Sequence, residues 1–253
     1  MKSVGLLARL SGPIAVVCAL NVAPAAAATV QIAVASNFLE PAREIAAAFT
    51  AQTGHDANLS FAPSGQVYVQ LTHGAPFEIF LSADKERPQQ AEKDGFSVNG
   101  TRFTYAVGRL VLYSAMPGYV DANGKVLARG DYPHLAMADP TVAPYGLAAI
   151  ETLGKLGLYD RLKPKIVKGS SIAQTFQFVQ TGAAQVGFVA LSQVINRQGG
   201  SCWIVPAKLH SPIDQQAVLL KTGANNPAAK AFMTFLKSPA ARAIVRRYGY
   251  ETP

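Results

Sequence analysis

Cysteine is nearly absent from this chain: only Cys18 and Cys202 occur in 253 residues. Cys18 falls inside an N-terminal segment that reads as removable, so the working protein keeps one thiol and no intramolecular disulfide can form. Cys202 reads as a small buried thiol, because no base stands near it in sequence to activate it. Long apolar runs are missing too. The longest, Ile14 to Leu20, is well short of the roughly 20 residues a membrane-spanning helix needs. Charge is sparse, at 15% of residues against 49% hydrophobic, which favours substantial cores over a solvated or disordered chain. Catalytic signatures are lacking: there is no G-x-S-x-G elbow, no H-E-x-x-H, no Walker A loop and no C-x-x-C. His55, His73, His134 and His210 are isolated, each in or beside a turn, and read as solvated surface residues rather than a metal cluster.

The N-terminus carries Lys2 and Arg9, then the short apolar core, then the small residues Ala25 to Ala28. This is the pattern of a secretory signal peptide spanning residues 1–28 and cut after Ala28. A lipoprotein signal at Cys18 is disfavoured by Ala15-Val16-Val17, which puts a bulky Val where such signals want Gly, Ala or Ser. Export argues against nucleic acid as a partner, although the net charge is +8. Without Lys2 and Arg9 there are 21 basic and 15 acidic residues, a charge of +6. The basic residues are scattered, apart from Arg242, Arg246 and Arg247, and Arg242 and Arg246 read as a solvated helix face. A mild positive field suits the gathering of small anions.

The remaining chain alternates short β-branched strands with amphipathic helices, the pattern of an α/β protein with mostly parallel sheets. Strands are expected at Val30–Ala35, Asn58–Ala62 and Phe77–Leu81, with a helix carrying Ala42, Ile45, Ala46 and Phe49 that Gly54 closes. A helix after Ser64-Gly65 is expected to bury Val67, Leu71 and Val69. Thr101–Ser114 is too long for one core strand and has Gly108 in its middle, so it reads as a crossover between two lobes. Pro117–Gly130 reads as a surface turn region. The rhythm restarts with a strand at Leu135–Ala138, a helix carrying Leu147, Ile150 and Leu153, and a strand ending at Ile166-Val167. A helix using Ile172, Phe176 and Val179 follows, then a strand at Gln185–Leu191. Ile213–Leu220 is a return strand. Asn226-Pro227 and Ser238-Pro239 mark the starts of two closing helices, each a capping residue followed by Pro at the first helical position. The expected division is residues 29–107 plus 213–253 in one lobe and 108–212 in the other.

Four strand-to-helix junctions place small polar or Gly residues directly before a helix: Ser36-Asn37, Ser64-Gly65, Tyr145-Gly146 and Ser170-Ser171-Ile172. Such junctions lie at the carboxyl ends of the strands, where open α/β sheets bind ligands. Each offers unpaired N–H groups at the positive end of a helix dipole. Converging, they make a cage of neutral donors suited to a fully ionised oxyanion. Singly, each is an ordinary helix cap, and spacing alone leaves both readings open. No Asp or Glu sits at the four junctions, with Asp84 and Asp139 the nearest in sequence.

Several segments together resemble a known family. VASNF (34–38), PSGQVYVQLTHGAPFEIFLSAD (63–84), RFTYAVGRLVLYS (102–114), APYGLAA (143–149), GFVALSQV (187–194) and RRYGY (246–250) are similar, in this order, to the periplasmic molybdate-binding proteins of molybdate ABC transporters, in particular their molybdate/tungstate-binding branch. The resemblance implies a two-lobed periplasmic-binding-protein fold, type II-like, closing over a dehydrated oxyanion in the cleft between lobes. It implies a periplasmic receptor, not an enzyme, that has no cofactor, works as a monomer and hands molybdate or tungstate to an inner-membrane ABC permease. Ser36 and Ser64 would donate through hydroxyl and backbone groups, Asn37 from the first junction, and Tyr145 and Ile172 through their amides. Some members add a Tyr hydroxyl where this chain has Ala190, and the Asn37 or Tyr145 side chain would then replace that donor. The rival readings are a receptor for another tetrahedral oxyanion such as sulfate or thiosulfate, a secreted hydrolase using Ser64, and a sensor that passes the same ligand to a signalling partner.

Overall fold

The computed structural model describes residues 27–253. The expected signal peptide lies outside the described residues except for its last two positions, and Cys18 lies outside them as well. In chain order the first half contains β1 (Thr29–Ala35), α1 (Leu39–Thr53), β2 (Asp56–Ala62), α2 (Ser64–Thr72), β3 (Ile79–Leu81), α3 (Glu86–Lys93) and β4 (Phe103–Gly108). The middle contains β5 (Leu110–Ser114), α4 (Lys125–Arg129), β6 (Leu135–Ala138), α5 (Pro144–Lys155), α6 (Tyr159–Leu162), β7 (Ile166–Gly169), α7 (Ile172–Gln180), β8 (Val186–Ala190) and β9 (Ser201–Ile204). The chain then returns through β10 (Ile213–Leu219) and closes with α8 (Pro227–Phe235) and α9 (Pro239–Arg247).

The strands form two five-stranded sheets of matching design, ordered β2-β1-β3-β10-β4 and β7-β6-β8-β5-β9. In each, four strands run in one sense and the fifth, β10 or β5, runs against them between its neighbours. The sheets are therefore mixed, because the chain crosses between them twice and each crossing strand enters against the parallel set. Successive residues of β1 serve opposite faces, as strand geometry requires. Val30, Ile32 and Val34 pack with Ile45, Phe49 and Phe232 on one side, while Ala33 packs with Val67, Phe80 and Val218 on the other. β5 does the same in the second sheet, with Leu110 and Leu112 on one face and Val111 and Tyr113 on the other. A strand covered on both faces needs apolar residues at successive positions, which is why Ile32–Ala35 and Leu110–Tyr113 are unbroken hydrophobic runs.

Both tail helices have the expected caps: Asn226 Oδ1 accepts from the Ala228 amide at 2.9 Å and Ser238 Oγ from the Ala241 amide at 3.2 Å. The crossover at β4 and β5 puts the two parts of one β-run into different sheets, with Arg109 between them. Gly108 is required by close approach and not by a left-handed backbone. A Cβ there would stand 2.2 Å from the Tyr145 hydroxyl and 2.8 Å from Gln215 Nε2.

Several expectations need correction. The turn region before Gly130 contains α4, whose Val126 and Leu127 are buried. β9 was not anticipated; its residues alternate, so Trp203 faces the core while Cys202 is exposed rather than buried. Val69 and Leu147 are 55% and 50% exposed. Helix α5 instead buries Tyr145, Ala148, Ala149, Thr152 and Leu153, because small residues let it lie close to the sheet. His210 is buried, its Nδ1 at 2.7 Å from the Ser211 carbonyl oxygen; a half-polar ring can enter a core when one nitrogen is hydrogen-bonded.

Candidate functional site

The site is built where parallel strands end. β1 runs into a 3-10 turn at Ser36–Phe38, and β2 passes through Pro63 into the first residue of α2, Ser64. In the second sheet β6 leads to Ala143 and Pro144 ahead of Tyr145, and β7 leads through Ser171 to Ile172. Ser171 Oγ caps α7 by accepting from the Gln174 amide at 3.1 Å. All five residues singled out from sequence, Ser36, Asn37, Ser64, Tyr145 and Ile172, line one cavity together with Ala35, Pro63, Ala83, Ala143 and Pro144. It is small, with about 10 Å³ of room for the centre of a water-sized particle. A wider cleft of about 700 Å³ shares Ser36 and Asn37 with it and is bounded farther out by Glu40, Phe176, Arg197 and Tyr248.

Donors are oriented by the surrounding bonds. Ser64 Oγ accepts from the Ala83 amide at 2.9 Å, which leaves its own proton to give. The Gly65 amide donates across the cleft to the Val142 carbonyl at 3.0 Å, and a Cβ at Gly65 would lie 2.9 Å from Val142 Cα. Tyr145 and Ile172 occupy first-turn positions whose N–H groups have no partner one turn back, and the helix dipoles of α5 and α7 add positive potential there. The Pro at the start of α5 removes an N–H that a ligand would otherwise have to satisfy.

The lining contains no carboxylate, ammonium, guanidinium or imidazole. Its one titratable group, Tyr145, is held well above the ordinary phenol range by burial and then by the neighbouring Tyr250. Asp84 lies in a separate cavity of about 200 Å³. There it pairs with Arg87 at 2.5 Å, and burial raises its carboxyl above the ordinary range despite that partner. Asp139 is tied to the Thr141 amide at 3.0 Å and hydroxyl at 2.8 Å, bonds that lower its carboxyl. Neither aspartate lines the cavity, and Ser64 has no general base there.

The side chains proposed as substitutes at Ala190 face elsewhere. Both Asn37 amide hydrogens are spent inside the protein, on Gln215 Oε1 and the Tyr250 hydroxyl at 2.9 Å each. The Tyr145 hydroxyl accepts from Gln215 Nε2 at 3.3 Å. What Asn37 and Tyr145 can present to the cavity is main chain. Sequence reasoning passed over this second tier of Ser192, Gln215 and Tyr250. Its visible traces are the motifs GFVALSQV and RRYGY, which contain Ser192 and Tyr250. The described residues contain no group of three or more His, Cys, Asp or Glu that could hold a metal ion.

Two α/β units enclosing a small cavity of neutral donors define a receptor for a small anionic solute. Comparison with known proteins makes the assignment specific. The family model for bacterial extracellular solute-binding proteins matches residues 30–251, and the chain belongs to that family. It is 58% identical over 229 residues to the molybdate-binding protein ModA of Rhodobacter capsulatus, covering 90% of each chain. It is 53% identical to the ModA of Azotobacter vinelandii, over 89% of this chain and 91% of that one. The solved Azotobacter vinelandii periplasmic molybdate-binding protein superposes with a TM-score of 0.86 at 44% identity, over 88% of this chain and 99% of that structure. The family is one of transport solute-binding proteins, not enzymes.

Proposed function

We propose that this protein captures molybdate, and tungstate with it, in the periplasm and delivers it to an inner-membrane ABC permease. Ser36 and Ser64 donate through their hydroxyls, and Asn37, Tyr145 and Ile172 through main-chain amides. The observation that carries the reading is the convergence of these five residues on one cavity without an acceptor carboxylate. A dianionic tetrahedral oxyanion has only acceptors, so a shell of donors alone matches it. A protonated anion such as hydrogen phosphate would leave its proton unpaired, at a cost of about 1–3 kcal/mol.

The lobes are residues 29–107 with 213–253, and residues 108–212, closing about the Gly108 crossover and β10. The chain acts as a monomer and carries no cofactor; the oxyanion is cargo. Export by the signal peptide of residues 1–28 is consistent with β1 starting at Thr29. A cage sized for molybdate or tungstate loses contact with the smaller sulfate.

A thermal-shift panel with molybdate, tungstate, sulfate, thiosulfate and phosphate tests this, since stabilisation grows with the logarithm of ligand concentration over Kd. Molybdate and tungstate are expected to give the two largest shifts. A shift from sulfate or thiosulfate equal to that from molybdate would overturn the assignment in favour of another tetrahedral oxyanion.

A further inference from the structure

Behind the cavity lies a buried hydrogen-bonded cluster that none of the ligand donors accounts for. The Tyr250 hydroxyl is 2.9 Å from the Asn37 carbonyl oxygen and 2.9 Å from Ser192 Oγ, and it accepts from Asn37 Nδ2 at 2.9 Å. Ser192 Oγ donates to the same Asn37 carbonyl at 2.9 Å. Gln215 Oε1 accepts from Asn37 Nδ2 at 2.9 Å, and its Nε2 donates to the Tyr145 hydroxyl at 3.3 Å. Asn37, Gln215 and Tyr250 belong to the part of the chain built on the first sheet; Tyr145 and Ser192 belong to the second.

Two glycines make room for this arrangement. Gly108 admits the Tyr145 hydroxyl, as described above. Gly249, at φ +77, turns the chain after α9, and a Cβ there would stand 2.7 Å from Leu191 of the second unit. Glu251 then pairs with Val107 through both main-chain bonds, at 2.8 and 3.1 Å. The C-terminal turn is thereby pinned against the crossover with Tyr250 pointing inward.

We infer that Tyr250, Gln215 and Ser192 are positioning residues for oxyanion capture, forming a neutral seam between the two units that holds the Asn37 main chain and the Tyr145 turn against the ligand. The inference rests on the oxyanion reading above and adds to it the part of the protein that sets affinity. Every member is uncharged. Burial pushes the Tyr250 hydroxyl up to about 12, so the seam keeps one protonation pattern across physiological pH. Of the three residues, none lines the small cavity. The seam therefore acts equally on every anion that fits, through the energy of the closed arrangement. A satisfied buried network of this kind is rigid, and removing one member leaves its partners unpaired.

The test uses Tyr250→Phe and Ser192→Ala in the mature chain. Kd for molybdate and for tungstate is measured by displacement calorimetry, and the ligand-free proteins are compared by small-angle X-ray scattering. Both variants are expected to weaken the two anions by the same factor, about tenfold, with the molybdate-to-tungstate ratio unchanged. Their ligand-free radius of gyration should increase and return to the wild-type value at saturating molybdate. A purely structural role would lower the melting temperature and move neither the affinity of the folded protein nor its scattering. Should Tyr250→Phe fail to fold, Ser192→Ala decides from the other side of the seam. Wild-type affinities with unchanged ligand-free scattering would overturn the inference. Failure of the wild-type protein to bind any oxyanion would instead overturn the functional reading, and the scattering comparison would still decide the seam.

Discussion

The two halves of the cavity offer the same chemistry by different means. The first-sheet half supplies the Asn37 amide and the hydroxyls of Ser36 and Ser64; Ser64 Oγ accepts from the Ala83 amide, which leaves its own proton to give. The second-sheet half supplies the first-turn amides of α5 and α7, at Tyr145 and Ile172, with apolar or inward-turned side chains. Hydroxyls can rotate to meet a ligand. Amides at a helix start are fixed by the helix itself and bring its dipole with them. One half is adaptable and one is rigid. The difference teaches that mutation reads the two unequally: truncation to alanine deletes the Ser36 and Ser64 hydroxyls of the first half, whereas the main-chain amides of Asn37, Tyr145 and Ile172 survive it.

Breaking the meeting of the halves should cost most. Gly65→Val places a Cβ against the Val142 backbone, 2.9 Å from its Cα, and keeps the rigid half away. Loss of several donors at about 1.5–3 kcal/mol each predicts molybdate affinity down by on the order of 100-fold or more, read by calorimetry, with the ligand-free melting temperature little changed. Wild-type affinity in this variant would show that the Gly65–Val142 contact is absent from the bound form.

The rigid half can be probed directly because Ile172 is the first residue of α7 and Ser171 before it is extended, at φ −148 and ψ 165. Proline is tolerated there. Ile172→Pro removes one amide hydrogen while keeping the helix, and a fall in affinity of roughly 10- to 100-fold is expected. Circular dichroism serves as the control for helix content.

In the adaptable half, Ser64→Ala should cost more than Ser36→Ala. Removing Ser64 also strands the Ala83 amide, so a loss of melting temperature should accompany about a 30-fold loss of affinity. Ser36 has no such structural bond among the described residues, and its removal should cost about tenfold in affinity with the melting temperature preserved. Equal melting temperatures for the two variants would contradict the bonding assigned to Ser64.

The smallest effect concerns Asp84, outside the cavity. Burial raises its carboxyl above the ordinary range, so the native state holds that proton to higher pH than the unfolded chain does. Its contribution to stability is present at low pH and is lost as pH rises through the native value. In Asp84→Asn that loss disappears. The stability of the variant relative to wild type, from urea melts, should therefore increase as pH climbs from about 4 toward neutrality. A relative stability that falls over the same range would mean that the Arg87 pair outweighs burial.

Much of the fold was legible because local chemistry and tertiary role agree. β1 read as a strand because its β-branched residues are covered on both faces, and the caps at Asn226 and Ser238 read correctly because a cap is made within a few residues. The errors fall where one face decides. Val69 and Leu147 are apolar yet exposed, since α2 turns Val67 and Leu71 to the core and α5 turns its small residues Ala148 and Ala149 there instead. Strand β9 is four residues long and recognisable only by its partner β5. Cys202 and His210 were misplaced for the same reason: a single residue's burial depends on its neighbours in space.

The amino-acid sequence by itself determined the alternation of strands and helices, the four small-residue junctions and, through the order of its motifs, the family to which the chain belongs. These are properties of neighbouring residues, carried by spacing and backbone preference. Only the tertiary structure decided that Asn37 and Tyr145 turn their side chains inward and present main chain to the cavity. That decision belongs to Gln215 and Tyr250, which are 178 and 213 residues from Asn37. Hydrogen bonds of such separation exist only once both sheets have formed and met, so no local pattern could encode them.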